Sequence, residues 1–171
     1  MSSGSDNMIQ RWTLQLDHRD ALRPKYVGGA DVSIQRVEIP LPALNRFLHE
    51  EVGTEFQWGG YENWTDADWT EYANRDGLET WVLYVQGTPA GYFETEHFED
   101  GSARIHNFGL LRPFFGQGLG AHLLSFAANR AFERGADRVW LRTCSKDHPN
   151  ALPNYQSRGF RIVHEEQLQC E

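Results

Sequence analysis

FFGQGLGAHLL, residues 114–124, sets glycine at three alternate positions, Gly116, Gly118 and Gly120, and then runs straight into helical spacing. A glycine-rich turn between a strand and a helix leaves several backbone N–H groups unpaired at the positive end of the helix dipole. Such a turn binds phosphate, and glycine is required wherever the backbone itself makes the contact, because a side chain would hold the anion off. A turn that merely packs closely also uses glycine, so the flanking letters must decide. A P-loop needs Lys and then Ser or Thr after its last glycine, and Ala121 and His122 stand there instead. The dinucleotide fingerprint GxGxxG/A fits Gly116, Gly118 and Ala121, with Asp137 downstream. Its ribose-binding acid should close the next strand, whereas Asp137 precedes RVWLRT, residues 138–143.

Outward from the loop, the period of the chain changes twice. Upstream, ETWVLYV (79–85), AGYFETEHF (90–98) and SARIHNFGLL (102–111) read as three strands joined by tight turns at Gly87-Thr88-Pro89 and Asp100-Gly101. Downstream, Leu119, Leu123, Phe126, Ala127 and Ala131 recur at helical spacing, and Gly135 ends the helix. RVWLRT is a strand again, so strand, helix and strand predict a right-handed crossover with parallel strands. A short helix over Ala151 to Arg158 and a last strand FRIVHEE complete this half. Before the meander, Asp31 to Ile39 reads as a strand, LPALNRFLHEEV (41–52) as a helix with Leu44, Phe47 and Leu48 on one face, and Thr65 or Asp66 as the capped start of another. Residues 1–10 are expected to form a mobile tail.

Composition narrows the function classes. The 171 residues, 40% of them hydrophobic and 13% aromatic, suit one folded domain with its own core. No apolar run reaches the roughly 18 residues of a membrane span, and MSSGSDNM lacks the blocks of a secretory signal, so a soluble cytoplasmic protein is expected. Cys144 and Cys170 match neither a disulfide framework nor a zinc spacing, and no metal is expected. Residues 1–100 carry 7 Lys/Arg against 18 Asp/Glu and residues 101–171 carry 9 against 6, one half suiting a cation and the other an anion. No clustered basic face points to nucleic acid.

FGLLRPFFGQGLGAHLL (108–124) together with HPNALPNYQSRGF (148–160) resembles the GNAT superfamily of acetyl-CoA-dependent N-acetyltransferases, over residues 31 to 166. The resemblance implies an α/β (α+β) fold: a mixed, mostly antiparallel sheet of six to seven strands, helices on both faces, and the family's fourth and fifth strands splayed around the cofactor. It implies one N-acetyltransferase domain over residues 11–171, with its core at about 31–166. Acetyl-CoA is the implied cosubstrate, its diphosphate held by Gly116, Gln117, Gly118, Leu119, Gly120 and Ala121. The first motif position, normally Gln or Arg, is Phe115.

The family also implies catalytic roles. A backbone N–H in the strand before the loop faces the thioester oxygen, which falls to Leu110, with Gly109 and Leu111 lining the pantetheine; such a donor is worth about 3 kcal/mol. Tyr155 matches the family's proton donor, a phenol with a pKa near ~10 that stays protonated until a thiolate needs it. His148 stands where the family often has a cofactor-contacting Asn, and Asn150 is the substitute. Many relatives use a strand glutamate as base, but Arg104 occupies that position, which leaves His106, Glu94 and Glu96 as candidates. Trp58, Tyr61, Trp64 and Trp69, with the surrounding acids, suit a cationic or aromatic amine, free or on a peptide. A non-catalytic acyl-CoA-binding regulator is the competing expectation, and the oligomeric state, a homodimer included, stays open.

Overall fold

The computed structural model describes residues 8–169. Its seven strands are β1 (Met8–Leu16), β2 (Val32–Arg36), β3 (Leu78–Val85), β4 (Thr88–His97), β5 (Ser102–Leu110), β6 (Arg138–Cys144) and β7 (Arg161–Gln169). They form one sheet in the order β2-β3-β4-β5-β6-β1-β7. Every neighbouring pair is antiparallel except β5 and β6, which the crossover helix α3 (Leu119–Glu133) makes parallel. The meander turns follow from backbone chemistry: Gln86 and Gly87 both adopt positive φ, 50° and 77°, the twist a two-residue hairpin needs.

Helices cover both faces. On one, α3 lays Leu119, Leu123, Leu124, Ala127 and Ala131 onto Phe93, Ile105 and Leu141, and α4 (Ala151–Ser157) adds Tyr155. On the other, α1 (Pro42–Gly53) sets Leu48 and Val52 against Val82 and Tyr92. The next helix, α2 (Asp66–Ala73), begins on a capping box in which Thr65 and Asp68 exchange hydrogen bonds.

The N-terminus departs from expectation. Residues 1–7 lie outside the described residues, but Met8–Gln10 are strand rather than tail, and the core begins well before residue 31. WTLQL (12–16) alternates apolar and polar residues, so Leu14 and Leu16 point into the α3 core, both with 0% exposure, while β1 fills the slot between β6 and β7. Leu14→Ala should therefore cost about 2–5 kcal/mol of stability, as buried Leu-to-Ala changes do, read by denaturant unfolding; an unchanged midpoint would place β1 outside the cooperative core.

Candidate active site

The cleft begins where two strands part. β5 and β6 pair from Ser102↔Arg138 to Ile105↔Leu141 and no further. The cause lies on the other edge of β5, whose register with β4 shifts between Phe93 and Thr95: one β4 residue, Glu94, stands opposite two of β5, His106 and Asn107. Such an extra residue bends a strand away from its neighbour. The gap opens into a cleft of about 830 Å³ lined by Ile105 to Leu110 on one side and Leu141 to Cys144 on the other. The ladder also fixes where amides point. The Leu111 amide donates to the Ala90 carbonyl at 2.8 Å. Antiparallel alternation sends the Gly109 amide the same way and leaves those of Phe108 and Leu110 facing the gap.

At the loop end, Gly116 and Gly118 sit at φ of 76° and 77°, and Gly118 caps α3 without any side-chain hydrogen bond. Among the described residues no oxygen accepts from the amides of Gly116 to Ala121; the first bond of the helix runs from the His122 amide to the Gly118 carbonyl. A Cβ at Gly120 would lie 3.7 Å from Asn154 Nδ2 and 3.9 Å from Leu110 Cδ1, in the space the cleft leaves between loop and α4. These free donors and bare backbone fit a diphosphate. Phe115 meets the His148 ring at 5.0 Å and the Phe56 ring at 6.4 Å, so an aromatic cluster stands where the motif would supply Gln or Arg. Asn150 donates its amide to His148 Nδ1, and both residues line the cleft.

At the chemical end, Tyr155 packs its ring on Phe108 and Phe160, and its hydroxyl finds no hydrogen-bond partner among the described residues. Burial, then the charge of Asp147, pushes the phenol up, so it is neutral. His106 Nε2 lies 2.6 Å from Glu96 Oε2, and Arg75 holds the same carboxylate at 3.2 Å. Burial and the Arg104 charge pull the imidazole down, against Glu96, so its neutral form donates from Nε2 and leaves Nδ1 without a hydrogen bond.

Glu94 is different. It has 0% exposure, and its oxygens accept from Tyr72 Oη at 2.5 Å and from Asn45 and Asn107 Nδ2, both at 2.8 Å. Burial pushes its carboxyl up even though those three donors pull it down. Contrary to its expectation as a base, Glu94 does not line the cleft, whereas Asn107, which donates to it, does.

A model of the Acetyltransferase (GNAT) family matches residues 45–160. The chain belongs to the GNAT family. It is 28% identical to a mycothiol acetyltransferase of Corynebacterium aurimucosum across 89% of this chain and 57% of that protein. A GCN5-related N-acetyltransferase from Kribbella flavida shares the fold at a TM-score of 0.68 and 18% identity, over 96% of this chain and 60% of its own. One from Sphaerobacter thermophilus does so at 0.68 and 16%, over 95% and 52%. The chain thus spans little more than half the length of these relatives.

Set against this GNAT frame, the sequence-predicted residues divide. Gly109, Leu110, Gly116, Gly118, Gly120, Ala121, His106, His148, Asn150 and Tyr155 line the cleft. Leu111 does not: its amide is taken by Ala90 and its side chain packs on the α1 core. Gln117 turns back to the Pro113 carbonyl, and Leu119 is buried in the core, so these two have only their backbone to offer. Trp64 and Trp69 pack with Tyr61 and Tyr72, away from the cleft, while Trp58 and Tyr61 line it. Trp58 Nε1 donates to Asp147 Oδ1 at 3.2 Å, and a Cβ at Gly109 would lie 2.5 Å from Val52 Cγ1, so glycine is needed there.

Among the described residues the cleft is not lined by acids as expected: its charged lining side chains are Arg11, Arg104, Arg142 and Asp147, and Asp147 is engaged by Trp58, Thr143 and the Cys144 amide. Burial, then Asp147, pushes the Cys144 thiol up, against a role as nucleophile. Asp137 binds the Gly101 carbonyl through its amide at the entry to β6, opposite the glycine loop, which removes the dinucleotide reading. Asn107, Phe108 and Asn154 carry no sequence signal for this cleft; the phase of the β4–β5 ladder sets Asn107 and Phe108 beside His106 and brings His106 to Glu96, while α4 presents Asn154.

Proposed function

We propose that this chain transfers an acetyl group from acetyl-CoA to a primary amine by direct attack in a ternary complex. What carries the reading is the meeting, in one cleft, of an amide cradle, gap-facing amides, a neutral phenol and a neutral imidazole backed by a carboxylate. Acetyl-CoA, when bound, supplies the thioester carbon and the sulfur leaving group. The amides of Gly116 to Ala121 hold its diphosphate. The Leu110 and Phe108 amides point to where negative charge develops on the carbonyl oxygen. His106 Nδ1 takes the proton that the amine sheds as its nitrogen bonds to the acyl carbon, and Glu96 keeps the imidazole in the tautomer that can do so. Tyr155 gives its proton to the sulfur as the carbon–sulfur bond breaks, and the two proton changes balance. His106 with Glu96 supplies the base whose apparent absence suggested a non-catalytic regulator.

Calorimetry with acetyl-CoA, followed by thiol release in the presence of an amine panel, tests the reading; no heat on titration would overturn it. Gly118→Ala is expected to weaken acetyl-CoA binding by about tenfold. Alanine at φ 77° costs roughly 1–2 kcal/mol. Relaxation of the loop re-aims the amides, and every ~1.4 kcal/mol is a factor of ten in affinity. Unchanged affinity would mean that these amides do not hold the ligand.

A further inference from the structure

Arg104 poses the question that the transfer chemistry leaves open. It sits two residues before His106 on the same face of β5, lines the same cleft, and stands where the family resemblance leads one to expect a glutamate. Its Nε is fully buried with no partner, and among the described residues its guanidinium donates to no acceptor. It is nevertheless fixed in place, with Cζ 4.9 Å from the centroid of the Trp140 ring. Arg142 faces that same indole at 5.4 Å and likewise has no carboxylate partner among the described residues.

The nearby acids are committed elsewhere. Glu96 is held by His106 and Arg75, Glu166 by Arg11 at 2.7 Å, and Asp147 by Trp58 and its own loop. Two guanidiniums sharing one indole repel each other, and a half-buried one without an acceptor has lost water it has not replaced. An oxyanion repays both costs, because the planar fork of arginine matches carboxylate or phosphate oxygens two at a time.

We propose that the acceptor is an amine that also carries an oxyanion, the carboxylate of an amino acid, held by Arg104 with Arg142 while its nitrogen meets His106 Nδ1. Two residues along a strand span about 6.6 Å. Bridged from both ends by side chains and hydrogen bonds, that distance suits an amine and an acid a few bonds apart. Val52, Trp58 and Tyr61 wall the acceptor side and favour an apolar or aromatic side chain on the ligand. This specificity rests on the acetyl-transfer reading of the same cleft.

The test pairs each acid with its decarboxylated or dephosphorylated counterpart: L-phenylalanine with phenethylamine, L-tryptophan with tryptamine, phosphoethanolamine with ethanolamine. Thiol release from acetyl-CoA is expected to give the acid at least a tenfold advantage in kcat/KM. Arg104→Gln should erase that advantage and Arg142→Gln should reduce it, with acetyl-CoA affinity unchanged by calorimetry. Arg142 is exposed, so its variant keeps the test alive should Arg104→Gln lose stability in a thermal melt. A larger advantage for phosphoethanolamine than for the amino acids would keep the oxyanion site and replace the carboxylate by a phosphate. Equal or better turnover of the decarboxylated amines, or variants that retain the preference, would overturn the proposal while leaving acetyl transfer intact. So would the absence of heat when L-phenylalanine, L-tryptophan and phosphoethanolamine are each titrated into the protein saturated with CoA. Failure of acetyl-CoA itself to bind would instead strike the reading beneath it.

Discussion

Replacing Tyr155 by phenylalanine is expected to lower kcat by about 10²–10⁴-fold, the range a positioned proton donor supplies, with the KM for acetyl-CoA nearly unchanged. The substitution removes one oxygen that has no hydrogen-bond partner among the described residues, while the ring contacts to Phe108 at 6.0 Å and Phe160 at 6.3 Å persist. Stability should therefore hold, and the unfolding midpoint of the variant serves as the control. The sign of the pH dependence follows from the same burial: a phenol pushed above its ordinary pKa stays protonated throughout the working range. It is a donor at every pH where the fold survives, and its loss should lower the rate plateau without moving the acid limb of the profile. Undiminished kcat in Tyr155→Phe would pass protonation of the leaving sulfur to solvent.

What the letters disclosed and what they hid divide along a physical line. The glycine loop, the crossover and the meander are local: φ requirements at Gly116, Gly118 and Gly87 and the switch of period at Leu119 are written within a few residues. β1 is not local. WTLQL has the right alternation, but its partners lie near residues 140 and 162, and a strand whose pairing spans the chain leaves no nearby turn signal. The Leu110 amide was an expectation of the family resemblance, and the direction of both the Leu110 and the Phe108 amides depends on the ladder phase, set by the Leu111–Ala90 bond.

Charge misled for a related reason. The acid-rich first half does not make an acidic cleft, because its carboxylates are spent elsewhere: Glu79 on Arg36, Arg130 and Arg134, Glu50 on Arg46, and Glu94 on Asn45, Tyr72 and Asn107. A sum over the sequence cannot register that pairing.

The His106 imidazole should govern the acid limb of kcat/KM. The groups facing it are Glu96 at 2.6 Å, Arg75 on the far side of that carboxylate, Arg104, and the Tyr72 ring at 6.3 Å. Burial and the arginine charges outweigh Glu96, so the ring titrates below its ordinary 6.5 and is already neutral at neutral pH. The rate should stay level through neutrality and fall only as pH drops through that lowered value. His106→Gln is expected to cut kcat/KM by about 10²–10³-fold and to abolish the limb.

Glu96→Gln makes the sharper test, because it keeps an acceptor for Nε2–H while removing the charge that raises the imidazole. Its limb should move to still lower pH while the plateau falls, since a weaker base accepts the amine proton less readily. Linkage gives a second readout with a fixed sign. The unfolded chain, with an ordinary histidine, binds the proton more tightly than the folded one, so acidification below about 6.5 should cost wild-type stability that His106→Gln no longer loses. An acid limb above neutrality, or one that survives unchanged in His106→Gln, would hand the base to another group or to water. The Glu96–His106 pair would then be a structural contact between two strands.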